Sequence, residues 1–140
     1  MNDYRTVLDK SPQELLDWIT KEFIESVEMP VQIIDSDGMN NASEQLLKLS
    51  SYYSYLATLL SEAKLNTRLT KRSSDKKAYE DAVDKKEIVQ NAADAVKMMY
   101  AGVSRAVTIR TENLQELRMN ASGRIYKNNL SGVPSTDVKF

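Results

Sequence analysis

The 140-residue chain has no cysteine and no histidine. The first absence excludes disulfides and thiolate chemistry. The second removes the commonest acid–base group and the commonest metal ligand together. Glycine and proline are scarce, with four and three copies. Neither a glycine-rich phosphate loop nor a nucleophile elbow occurs. No run approaches the ~18–20 apolar residues that span a bilayer, and Met1–Lys10 lacks the apolar stretch of a signal peptide. The expectation is a non-enzymatic protein of the cytoplasm, with no membrane segment, no cofactor and no metal. Asp35-Ser36-Asp37-Gly38 superficially suggests a calcium loop, but its glycine falls at loop position 4 and position 12 is Leu46. A calcium loop of this kind needs glycine at about position 6 and glutamate at about position 12.

What is present is an ordinary soluble composition, 41% hydrophobic and 28% charged, at the size of one domain. The net charge of −1 hides an asymmetry. Residues 1–62 hold 4 Lys/Arg against 11 Asp/Glu, whereas residues 63–140 hold 15 against 9. Such a split suits a polyanion-binding part, head-to-tail charge pairing between copies, or merely an uneven solvated surface.

The apolar spacing is helical throughout. Ser11-Pro12-Gln13-Glu14 is a capping box with proline at the first helical position. Leu15, Trp18, Ile19, Phe23 and Val27 then recur at helical spacing, which predicts a helix over 11–29 with an acidic outer face (Asp17, Glu22, Glu25, Glu28). Pro30 ends it. Residues 30–40, with the β-branched run Val31–Ile34 and the turn Asp35–Gly38, read as a linker. A second helix over 41–72 carries the seam Ala42, Leu46, Leu49, Tyr53, Leu56, Leu60, Ala63, widened by Tyr52 and Leu59. On that register Tyr53 is core and Tyr55 is free. Ser73-Ser74-Asp75 is a turn, and a third helix runs over 76–119. Its two overlapping seams ask for two neighbours. Ile88, Ala92, Val96, Met99, Gly102, Val103, Ala106 and Ile109 are the expected surface for a homo-oligomer or an obligate hetero-complex. Gly102 costs ~1 kcal/mol inside a helix, so a close neighbour is expected there. Residues 121–140 lose the pattern and read as a mobile tail. The fold expected is all-α: a short helix, a linker and a long antiparallel hairpin.

The positive chemical signal is charge. Lys64, Arg68, Lys71, Arg72, Lys76 and Lys77 face a single acid, Asp75, in the same stretch. The first four follow i, i+4, i+7, i+8 and form one stripe. A turn at 73–75 brings Lys76 and Lys77 to the same tip, a suitable contact for a phosphate backbone, with Tyr79 beside it to stack on a base. The paired carboxylates Glu80/Asp84 and Asp84/Glu87, among Lys77, Lys85 and Lys86, read as surface ion pairs. A plainer account of the stripe is that Lys and Arg at a helix C-terminus oppose the macrodipole.

The stretches EAKLNTRLTKR (62–72) and DKKEIVQNAADAVKMMYAGVSRAVTIRTENLQELR (84–118) together resemble the UvsY-type recombination mediators of tailed phages, over roughly 45–120. The resemblance implies a small all-helical protein that binds single-stranded DNA through its basic helix, forms rings through its long C-terminal helix, and helps load a recombinase onto DNA covered by single-strand-binding protein. It would place DNA contacts on Lys64, Arg68, Lys71 and Arg72, and assembly contacts on the 88–117 seams, in a host-cell cytoplasm. The alternative expectation is a helical protein–protein module, a scaffold or an inhibitor of a host protein, that binds no nucleic acid.

Overall fold

A computed structural model describes residues 3–29 and 33–131, with side chains as far as 121. Four α-helices follow one another: α1 (Tyr4–Leu8), α2 (Pro12–Ile19), α3 (Ser36–Lys71) and α4 (Lys76–Ser131), with a π-helical turn, Thr20–Ile24, continuing α2. The class is all-α. α3 and α4 form the long hairpin, with its bend at 72–75.

The ends of the hairpin arms are set by aspartates. The Asp35 carboxylate accepts from the Gly38 N–H at 2.7 Å and caps α3. The expected linker turn is thus the first turn of the helix, which starts at Ser36 rather than near Asn41. A Cβ at position 38 would stand 3.2 Å from that carboxylate and 3.6 Å from Ile33, which explains a glycine there. Asp75 does the same for α4, accepting from the Ala78 N–H at 3.1 Å. α4 has 56 residues against 36 in α3, so it outruns its partner by 20 residues, about 30 Å. It continues to Ser131, and the stretch 121–131 read as tail is helical. Pro30, Val31, Gln32 and residues 132–140 lie outside the described residues.

The second neighbour that the double seam of α4 demands comes from the same chain. α1, α2 and the π turn lie along the hairpin as a brace. Ser11 caps α2 through the Glu14 N–H. The π turn is wider than 3.6 residues. That keeps Leu15, Ile19 and Phe23, four residues apart, on one line toward the core, where all three are buried. Phe23 stacks on Tyr55 at 5.5 Å and meets Tyr52 and Trp18 edge-on at 4.9 and 5.4 Å. Two lysines fasten the brace. Lys85 donates to the Leu8 carbonyl at 2.6 Å, and Lys48 to the Ser26 carbonyl at 2.7 Å.

This brace overturns two readings of α3. Tyr55, expected to be free, is buried among Tyr4, Trp18 and Phe23. Tyr53, expected in the core, is 40% exposed. The seam of α3 sits one position earlier than the Leu46–Tyr53–Leu60 register, because the aromatic brace draws Tyr52 and Tyr55 inward. Burial pushes the Tyr55 phenol above its ordinary value of 10.0, and the charges of Tyr4 and Asp3 add to the rise.

Candidate nucleic-acid interface

The tip of the hairpin is built by hydroxyls, not by cations. α3 ends in free carbonyls like any helix. Ser73 Oγ donates to the Thr70 carbonyl at 2.8 Å, and Thr70 Oγ1 to the Asn66 carbonyl at 2.9 Å. Buried Thr67 donates to the Ala63 carbonyl at 2.9 Å and lies 3.3 Å from the Ala82 carbonyl across the hairpin. The Ser73 bond, with the Arg72 and Ser73 N–H groups donating to the Leu69 and Thr70 carbonyls, closes the end of α3.

The cations are left over. Lys64, Arg68, Lys71, Arg72, Lys76 and Lys77 are all exposed. Among the described residues none of them forms an ion pair or donates to a carbonyl. Their one acidic neighbour in sequence, Asp75, is spent on capping α4. Tyr79 stands beside them, half-buried on the first turns of α4. Leu65 and Leu69, which the charge pattern did not single out, are also half-exposed at this end.

The macrodipole accounts for only part of this cluster. Arg68 and Lys71 lie in the last turn of α3, where cations are favoured. Lys76 and Lys77 open α4, whose first turn holds no acid. Cations there oppose the dipole and disfavour the helix. Helix stability is therefore no reason for the second half of the cluster.

The carboxylates near the tip behave differently from expectation. Glu80, Asp84 and Glu87 form no ion pairs among the described residues, and Lys85 reaches Leu8 instead. Asp84 and Glu87 line a shallow cleft of about 280 Å³ with Pro12, Gln13, Leu16, Ile88 and Asn91. Two carboxylates and no cation make that cleft repellent to phosphate. No group of side chains suited to a metal ion occurs among the described residues.

No protein-family model, no curated protein and no solved structure matches the chain. No helix among the described residues is long and apolar enough to cross a membrane.

The surface expected for self-association divides in two. Ala92, Val96 and Val103 are buried within the single chain, and Ile88, Met99 and Ala106 pack partly against the same core. The brace and α3 cover much of these six within the single chain. Gly102 is exposed, with the Met29 methyl 3.0 Å from where its Cβ would stand. The expected close neighbour is therefore the movable end of a side chain. Ile109 is half-exposed, and past it Leu117 and Met119 are 61% and 73% exposed.

Proposed function

We propose that the hairpin tip binds the phosphate backbone of single-stranded nucleic acid, as a non-enzymatic accessory protein. The observation that carries this reading is Lys76 and Lys77 at the start of α4. They oppose the helix dipole, lack partners, and complete a six-cation cluster whose other half lies across the turn. A phosphate chain gives all six a counter-charge at once. Sequence preference should be slight, since the tip presents no paired donors and acceptors fitted to base edges.

The UvsY-type resemblance extends the reading to a role. The chain loads a recombinase onto strands held by single-strand-binding protein, and does so as a homo-oligomer. The surface that supports assembly is the projecting part of α4 from Ile109 onward. The 88–106 seam is occupied within the chain.

Reversing Lys76 and Lys77 to glutamate separates this role from a structural one. The double variant is expected to melt higher, by roughly 2–6 °C, because acids favour a helix N-terminus. It is also expected to lose most of its affinity for a labelled oligonucleotide at low salt. A variant that melts higher and binds as the wild type does would overturn the reading.

A further inference from the structure

Two packed helices leave two grooves, and the brace fills one. On α4 the braced side includes Lys85, which donates to the Leu8 carbonyl, and Ile88, which shares a cleft with Pro12, Gln13 and Leu16. Lys97 stands nine residues past Ile88, about 180° around the helix, and so faces the other groove. There the arms enclose a slot of about 240 Å³ lined by Ser50, Tyr53, Lys97 and Tyr100, with a mostly apolar surface. That is smaller than the ~300–1,000 Å³ of drug-sized pockets, and it suits a single flat ring.

The two tyrosines of the slot, Tyr53 of α3 and Tyr100 of α4, differ from Tyr52 and Tyr55. Tyr52 and Tyr55 are locked in ring contacts with Phe23. Tyr53 and Tyr100 are 40% and 42% exposed, and among the described residues neither touches another ring or makes a hydrogen bond through its side chain. Two unoccupied ring faces beside a lysine form a surface on which a planar, electron-poor group stacks near an anion.

The slot is continuous with the tip. Lys64 and Lys71 follow Tyr53 by 11 and 18 residues, about three and five full turns, so the three share one stripe of α3. Lys86 and Lys97 follow Tyr79 by 7 and 18 residues, about two and five turns, and share one stripe of α4. These stripes border the open groove from the basic tip to the slot, about 16 Å from Lys64 by helix rise.

We propose that this groove takes a single strand lengthwise, with its phosphates on the tip cations and Lys97, and one base held between Tyr53 and Tyr100. The proposal rests on the tip reading above and adds a base-stacking site to it. Stacking needs a ring and no particular base, so the slot favours strands with bases over strands without, and not one sequence over another.

The test uses the full chain and two labelled strands of equal length, an oligothymidylate and an abasic strand with the same number of phosphates, at one low salt concentration. The wild type is expected to bind the thymidylate about tenfold tighter, the scale of one stacked base. Tyr53→Ala and Tyr100→Ala should each remove most of that preference and leave abasic affinity unchanged. Tyr53→Phe and Tyr100→Phe, which keep the ring, should retain it. Equal wild-type affinity for the two strands would overturn the slot while leaving the tip reading intact. So would alanine variants that lose affinity for both strands alike. Binding of neither strand would overturn both readings, as expected if the groove instead receives a polypeptide.

Discussion

Gly102 shows how a single residue was readable in kind but not in degree. A glycine amid a long helix, flanked by Ala101 and Val103, implies a close neighbour, and there is one. Yet the neighbour is the Met29 methyl, 3.0 Å from where a Cβ would stand, and Met29 is itself 43% exposed. Such a methyl swings away at little cost. Gly102→Ala should therefore stabilise the chain, by about 0.5–1 kcal/mol, since alanine loses less backbone freedom on folding. Chemical denaturation with an unchanged slope against denaturant is the measurement. A loss of stability would mean that Met29 is held rigidly. Tyr53 and Tyr55 exchanged their expected places for a reason at the same scale. Two residues apart on a helix, they point about 200° from one another. One error in locating the partner therefore swaps core for surface.

At the scale of elements, α2, α3, the turn and α4 were legible because local chemistry announces them. Ser11 and Pro12 start α2, and Asp75 starts α4. The seams of α3 and α4 repeat over many turns. α1 was not legible, since five residues give no period to read. Its place depends on Lys85 reaching Leu8 from 77 residues away. The part of the brace over 12–24 was read as one helix running on to 29, and not as the second neighbour of α4, because periodicity shows that a face is apolar and not what covers it. Phe23 is the brace's anchor, fully enclosed and meeting Trp18, Tyr52 and Tyr55. Phe23→Ala should cost about 3–5 kcal/mol and release the brace from the hairpin. Equilibrium unfolding followed by Trp18 fluorescence reads both effects. A cost below about 1 kcal/mol would show that the brace is not docked through this ring.

The whole molecule places its charge unevenly for a physical reason. The acidic brace residues Asp17, Glu22, Glu25 and Glu28 are exposed on one side of the hairpin. Six exposed cations stand at the tip, and Lys86 and Lys97 border the open groove. On the proposed reading, a polyanion is repelled from the braced side and drawn to the tip. The sequence carried the charge asymmetry in its two halves. The basic stripe was legible as a candidate site because i, i+4, i+7, i+8 spacing suffices to align four cations. The Tyr53–Tyr100 slot was not, since its two tyrosines lie 47 residues apart in sequence and line one slot only in the packed hairpin. The most direct measurement of the central claim is fluorescence anisotropy of a labelled single strand across a salt series. Each phosphate neutralised contributes about 0.7 to the log–log slope for single strands. Four to six tip contacts should give a slope of roughly −3 to −4, and Arg68→Glu with Arg72→Glu should abolish binding at unchanged helix content. No binding of the wild type at ~50 mM salt, where such contacts are strong, would contradict the account.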